Sequence, residues 1–257
     1  MGVINDLQAW VRASRALPQA TPDGVQTLSR GGKYGEMYVQ AIIPTKHSLA
    51  DEGSYFSLTN PTLGTAVTYA LTTAFSDTAG LFLIQNVAPL SDTTRIYLDF
   101  ARLILMGTAP TATVSMHFAV KLSDPGTTRI PTANSRNDLG VNCNMDNARA
   151  SVARVYQFAA GSMTLPAAPG GARTVARASL PTSLGIAGDD YVLQFGGIDH
   201  APYAGLTAAR ATAPAKLCAN VAPVVIGPGQ YAVIYMWWLT AATTAPSFEY
   251  ELGWYER

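Results

Sequence analysis

The sequence predicts an all-β protein, an antiparallel β-sandwich of jelly-roll-like topology with a short N-terminal arm. From residue 31 onward, apolar side chains recur at every second position, which is the period of a β-strand. Pro- and Gly-rich turns separate these segments without alternating helices, which disfavours an α/β fold. Long connections favour Greek-key or jelly-roll crossings over a simple meander. The connections longer than ten residues are 44–64, 123–150, 161–188 and 198–222.

The first 30 residues are predicted to form an arm, a short amphipathic helix over 3–16 followed by an extended link. Four apolar residues recur at a spacing that places them on one helical face. A helix this short is unstable alone in water, so its apolar face needs a partner. That partner is the body of the same chain, a neighbouring subunit or another protein. The predicted contact residues are Ile4, Leu7, Trp10 and Val11.

Residues 31–257 form the predicted sandwich domain, with about nine strands. In chain order the strands are "YGEMYVQAII", "TAVTYALTT", "GLFLIQN", "RIYLDFARLILM", "TVSMHFAVKL", "SVARVYQFAA", "DYVLQFGG", "QYAVIYMWWL" and "SFEYELGWYER". In "RIYLDFARLILM" we expect Ile96, Leu98 and Phe100 to point inward. Arg102 then breaks the alternation, which either a bulge or a strand side that changes from solvent to packed would explain. In "TVSMHFAVKL" the alternation places His117 on the outer face.

The last two strands carry the largest side chains. Phe248, Tyr250, Leu252 and Trp254 alternate along the final strand and are predicted to form one inner face. The preceding strand, with Ala232, Ile234, Met236 and Trp238, is predicted to pair beside it. Adjacent strand residues point to opposite faces, so one of Trp237 and Trp238 is core and the other is on the outer face, at a subunit contact or a ligand site. Trp237 and Tyr255 are therefore predicted interface residues.

The low content of charged residues indicates a protein whose surface is in contact with other proteins. Charged residues make up only 13% of the chain, about half the usual share. The net charge is zero and no basic stripe stands out, so we expect no direct contact with nucleic acid. The longest apolar run is far shorter than the ~20 residues that span a membrane, so we expect no membrane partner. These features predict a soluble protein made in a cytoplasm.

No readable catalytic or metal-binding pattern is present. The segment 45–56 could imitate a hydrolase or metal cluster, but we interpret it as a polar loop leading into a strand. Its polar residues close in sequence are His47, Asp51, Glu52, Ser54 and Tyr55. We therefore predict no catalytic residue, no cofactor and no metal ligand. The two cysteines, Cys143 and Cys218, are interpreted as free thiols, with a bridge between them as the alternative.

Several segments resemble virion structural proteins of tailed bacteriophages. They are "SRGGKYGEMYVQAIIPTKHSLADEGSYFSLTNPTLGTA", "IYLDFARLILM" and the ending "VIGPGQYAVIYMWWLT…SFEYELGWYER". The resemblance implies a jelly-roll-like sandwich in a multi-copy component of the particle. Capsid cement or decoration proteins of that group commonly form trimers, and an N-terminal arm often contacts neighbours.

Three functional hypotheses follow. The first is a non-enzymatic cement or decoration protein in the virion, made in the bacterial host cytoplasm, with further copies of itself (a homotrimer) and the major capsid protein as partners. The second is a tail fibre, spike or baseplate component that binds carbohydrate through exposed aromatics such as Trp237 or Tyr255. The third is a glycan-cleaving enzyme, whose acidic group would be Asp189, Asp190 and Asp199.

Overall fold

A computed structural model describes residues 45–70, 72–107, 115–146, 149–169, 171–181, 186–196, 216–238 and 245–257. The predicted arm, its boundary at residue 30 and the predicted strand "YGEMYVQAII" lie outside these ranges. Within them the chain forms one helix, α1 (Thr45–Asp51). It also forms sixteen strands: β1 (Tyr55–Thr59), β2 (Val67–Thr68), β3 (Ala79–Gly80), β4 (Phe82–Asn86), β5 (Ile96–Leu105), β6 (Ser115–Leu122), β7 (Ser135–Asp138), β8 (Val141–Asn142), β9 (Ala153–Phe158), β10 (Met163–Thr164), β11 (Arg173–Pro181), β12 (Asp190–Phe195), β13 (Lys216–Val221), β14 (Val225–Ile226), β15 (Tyr231–Trp238) and β16 (Ser247–Glu256).

The strands form two large sheets that pack face to face, which confirms the predicted all-β sandwich. The first sheet has the order β13-β12-β5-β16-β1-β8, with β14 also pairing with β5 and β2 with β16. The second has the order β11-β6-β15-β4-β9-β7. Large apolar side chains from both inner faces fill the space between them.

The jelly-roll topology is visible in how eight of these strands pair. β1 pairs with β16, β4 with β15, β5 with β12 and β6 with β11, and every pair is antiparallel. Each pair encloses the next along the chain, and the four pairs alternate between the two sheets. This is one long antiparallel ribbon rolled up on itself, as the long predicted connections indicated. One pairing departs from the antiparallel prediction, because β13 runs parallel to β12.

The structure corrects the predicted element list, because six strands lie inside predicted connections and one helix was not predicted. β1 lies inside 44–64, β7 and β8 lie inside 123–150, and β10 lies inside 161–188. β11 and β13 lie inside the predicted connections 161–188 and 198–222. The inward face of β11 is built partly from the small residues Ala176 and Ala178, which give a weak hydrophobic signal. The segment interpreted as a polar loop begins with α1, whose single buried apolar side chain, Leu49, is too little to indicate a helix.

The final strand is confirmed as a core element, although its predicted partner is wrong. Phe248, Tyr250, Leu252 and Trp254 are all buried, and each contributes roughly 1.5–3 kcal/mol of transfer free energy. β16 pairs with β5, β1 and β2 rather than with β15, which belongs to the opposite sheet. The two strands therefore face each other across the core instead of lying side by side.

A β-bulge in β5 changes which of its side chains face the core. Leu98 and Phe100 pair with the consecutive residues Trp254 and Gly253, so Asp99 is the extra residue. The bulge is therefore at Asp99 and not at Arg102, where a bulge was one of the two explanations for the broken alternation. The inward positions before it are Ile96 and Leu98, and those after it are Ala101, Leu103 and Leu105. The prediction for Phe100 is wrong, because the bulge places this residue on the outer face.

Candidate binding surface

The outer face of the second sheet is covered by other segments of the same chain. Trp238 points into the core between the sheets, and Trp237 points outward, as the alternation predicted. The ring of Phe75 packs edge-on against Tyr235 and Trp237, with centroid distances of 5.2 and 5.4 Å. His117 stacks on the same Trp237 ring at 5.6 Å. Trp237 is consequently only 8% exposed, so the expectation that it is an exposed aromatic is wrong.

Arg129 holds this covering layer in place. Its buried guanidinium donates to the Tyr235 hydroxyl at 2.7 Å and to the carbonyl oxygens of Asp77 and Pro166, each at 2.6 Å. A buried charge is tolerated because hydrogen bonds to these acceptors replace water. The arginine thus ties the sheet to two covering segments, 72–80 and 163–169. We conclude that the outer face of the second sheet is packed against these segments and contributes to the stability of the fold.

The outer face of the first sheet, in contrast, presents a row of partly exposed aromatic side chains. Tyr55, Tyr255 and Tyr97 lie in register on β1, β16 and β5. The Tyr97 and Tyr255 rings stack with centroids 4.8 Å apart and an interplanar angle of 2°. Phe100 lies over Gly253, where an added Cβ atom would come within 2.4 Å of its ring. We name Tyr55, Tyr97, Phe100 and Tyr255 the aromatic face.

Asp99, the bulge residue, organises the polar groups beside these rings. Its Oδ2 atom accepts hydrogen bonds from the Tyr55 hydroxyl at 2.5 Å and from the Lys46 ammonium at 2.8 Å. Burial, together with the Asp99 carboxylate, raises the pKa of Tyr55 far above its ordinary value. Tyr55 therefore remains a protonated donor at any physiological pH. Lys46, on α1, has a 55% exposed side chain that neutralises the nearly buried Asp99 charge.

A cleft of about 290 Å³ opens at this position. One side of the cleft is formed by Tyr97, Tyr255 and the Lys46–Asp99 pair. The other side is mostly apolar and is formed by Phe195, Gly196, Pro223, Val224 and Val225. The predicted interface residue Tyr255 is thus part of a concave site, together with side chains from α1, β5 and the ends of β12 and β14.

The remainder of the same outer face is charged. Arg102 donates from Nε to both carboxylate oxygens of Asp190, at 2.9 and 3.0 Å, and its Nη1 lies 3.4 Å from Glu251. Asp189 is fully buried and accepts a hydrogen bond from the backbone of Ile186 at 3.0 Å. Two of the three acidic residues considered for glycan cleavage therefore have structural bonds, and Asp199 lies outside the described residues. Glycan cleavage by this acidic group therefore stays a prediction.

One edge of the first sheet carries an unusual density of exposed apolar side chains. Among the described strands, β8 is the last of the sheet, and Leu139, Val141 and Met145 are 83%, 58% and 79% exposed. Val141 pairs with Ser57, whose neighbour Phe56 is in the core, so Val141 lies on the outer face. Gly140 lies against the Trp254 ring, where a Cβ atom would come within 2.3 Å. We name residues 139–145 the β8 edge.

The other predicted sites are not brought together. Both cysteines are free: Cys143 is exposed beside β8 and Cys218 lies on β13, at the opposite edge of the sheet. In the described ranges no three His, Cys, Asp or Glu residues are close enough to hold a metal ion. None of the helical residues that the structure describes forms a segment long and apolar enough to cross a membrane. Ile4, Leu7, Trp10 and Val11 lie outside the described residues.

Sequence reasoning missed most of this surface. Tyr97 and Asp99 belong to a strand that was treated only as core, and the β8 edge fell inside a predicted connection. The alternation in "GWYER" and "RIYLDF" places Tyr255 and Tyr97 opposite their core neighbours, and this signal would have found the pair. Comparison of the chain with protein-family models, with curated proteins and with solved structures gave no match.

Proposed function

We propose that this chain is a non-enzymatic structural protein of a virus particle that stabilises the capsid as a cement or decoration protein. The observation that carries the proposal is the β8 edge, where Leu139, Val141 and Met145 are all strongly exposed. An exposed apolar edge of this kind is typical of a surface that another protein covers. The jelly-roll topology, which recurs in viral capsid domains, and the low charge content also support the proposal.

The β8 edge provides backbone groups for strand pairing and apolar side chains for burial, and both contribute to association. Within the described ranges β8 pairs with one neighbouring strand, β1, and the other side of such a terminal strand is where a strand of another chain can pair. Burying its three apolar side chains would contribute about 5–9 kcal/mol in total, at roughly 1.5–3 kcal/mol each. Losses of translational, rotational and side-chain freedom offset much of that gain. A contact of this strength is suited to a particle in which many copies repeat it.

The proposed mechanism is mechanical. The protein adds buried area across contacts between capsid subunits, which raises the free energy needed to separate them, and it turns over no substrate. Its proposed partners are further copies of itself, in a homotrimer, and the major capsid protein. The predicted arm would supply a second contact. The proposed location is the virion, after synthesis in the host cytoplasm.

The experiment compares two charge-introducing variants. Leu139→Glu/Val141→Glu places carboxylates on the β8 edge, and Ile130→Glu makes the same chemical change at an exposed apolar residue in a different loop. We expect the β8 double variant to lose self-association in light scattering and to lose occupancy on purified particles. Ile130→Glu should retain both, and circular dichroism should show that both variants are folded.

Two results would count against the proposal. The first is full occupancy of the double variant on particles. The second is a wild-type protein that is monomeric at high concentration and absent from the particles.

A further inference from the structure

We propose that the cleft between Tyr97, Tyr255 and the Lys46–Asp99 pair binds a neutral saccharide, of one or two sugar units. This inference goes beyond the proposed assembly role, since the cleft walls are separate from the β8 edge. It assigns a ligand class to a concave site in which aromatic and polar groups converge. Such convergence is the usual mark of a small-molecule site.

The walls of the cleft suit the two kinds of surface that a pyranose ring presents. A sugar has faces of C–H groups, which pack well against aromatic rings, and a rim of hydroxyl groups. Tyr97 and Tyr255 supply the aromatic surface, and Phe195 and Val225 supply apolar contacts on the other side. A partly exposed aromatic pair offers a large contact area with a polar tip on each ring.

The polar groups suit a ligand that is rich in hydroxyls. Asp99 binds Tyr55 and Lys46 through Oδ2, and a carboxylate has two oxygens with about four lone-pair sites, so it has acceptor capacity beyond these two bonds. Lys46 carries three N–H donors, of which Asp99 needs one. The cleft therefore offers an acceptor and spare donors side by side, the arrangement that neighbouring hydroxyl groups satisfy.

The charge balance favours a neutral ligand over an ion. The Lys46 ammonium and the Asp99 carboxylate are 2.8 Å apart and cancel each other. A cationic ligand would have to compete with Lys46, and an anionic ligand would approach the Asp99 carboxylate. A neutral polyol meets neither penalty, because it can donate to one group and accept from the other.

The size and the rigidity of the site set the expected affinity. A cleft of about 290 Å³ is at the lower end of ligand sites, which typically span ~300–1,000 Å³. Asp99 is held by two hydrogen bonds and Tyr97 by its stack with Tyr255, so little ordering is needed on binding. For a ligand as small as a hexose we expect a Kd on the order of 1 mM.

The test is saturation-transfer NMR of the full chain with a panel of neutral probes: glucose, galactose, mannose, N-acetylglucosamine, N-acetylgalactosamine and their disaccharides. We expect at least one probe to receive saturation from the wild-type protein. Tyr97→Leu should weaken its binding at least about tenfold, because it removes the aromatic contact. Lys46→Met should also weaken binding, whereas the matched Lys216→Met on β13 should not, and circular dichroism should show that all three variants are folded.

Two outcomes would overturn the inference. One is the absence of saturation transfer to every sugar of the panel at millimolar concentration. The other is binding that both Tyr97→Leu and Lys46→Met leave unchanged. The Leu139→Glu/Val141→Glu variant should bind sugar like the wild type, so loss of assembly and loss of sugar binding can be told apart.

Discussion

Glu256, near the end of β16, makes contacts that help to hold the two sheets together, and its substitution tests them most directly. Its side chain is fully buried and accepts hydrogen bonds from four groups. The donors are Ser151 Oγ at 2.5 Å, the Val152 backbone N–H at 3.1 Å, Trp254 Nε1 at 3.2 Å and Arg149 Nη2 at 3.2 Å. One carboxylate therefore ties the last strand to the segment that leads into β9.

Glu256→Gln preserves the shape of this side chain and removes its charge. The amide keeps one acceptor oxygen, but its NH₂ group now faces N–H and O–H donors. Hydrogen bonds to charged groups contribute about 1.5–3 kcal/mol each, and breaking a buried ion pair costs about 3–5 kcal/mol. Arg149 is 43% exposed, so water can solvate it after the carboxylate is removed. We therefore expect Glu256→Gln to lower the free energy of unfolding by about 2–4 kcal/mol.

Thermal and urea unfolding measure the effect. For a chain of this size 1 kcal/mol lowers Tm by about 2–4 °C, so Glu256→Gln should lower Tm by roughly 5–15 °C. The matched control is Glu249→Gln, the same chemical change at a partly exposed position of the same strand. It should cost less than about 1 kcal/mol. Equal losses in the two variants, or a Glu256→Gln protein as stable as the wild type, would refute the reasoning.

Two further predictions concern the outer faces of the sheets. Gly253→Ala should cost about 1–3 kcal/mol in urea unfolding, because its Cβ atom would meet the Phe100 ring and the Tyr55 hydroxyl. Adding Phe100→Ala should recover part of that loss, and additive losses would contradict the contact. Burial, together with the Arg177 guanidinium, lowers the pKa of His117 in the folded protein. As the pH drops below about 6.5, the unfolded chain therefore takes up this proton before the folded protein does, and the free energy of unfolding falls. His117→Gln should reduce this loss between about pH 7.5 and 5, and an unchanged pH dependence would argue against it.

The sequence predicted the parts of the fold whose pattern depends on one strand alone. In β16, large buried residues alternate with polar ones, so Phe248 and Trp254 identified their own inner face. β11 was missed because its inward face includes the small residues Ala176 and Ala178, whose alternation is too weak to see. The hydrophobic alternation of a strand is therefore easier to recognise when the strand buries larger side chains.

Features that depend on a second strand could not be predicted in the same way. The bulge at Asp99 exists only relative to the register of β16, and no property of β5 alone chooses Asp99 over Arg102. Trp237 was expected on an outer face and lies there, but its cover, Phe75, comes from a distant loop. The candidate cleft likewise draws its walls from segments that meet only after the ribbon has rolled up.

The most direct test of the proposed assembly role is a cryo-EM map of the particle in which we propose that this chain resides. We expect many symmetry-related copies of the jelly roll on the particle, with Leu139, Val141 and Met145 buried against a neighbouring protein. A particle that lacks the chain, or a map in which the β8 edge faces solvent in every copy, would contradict it.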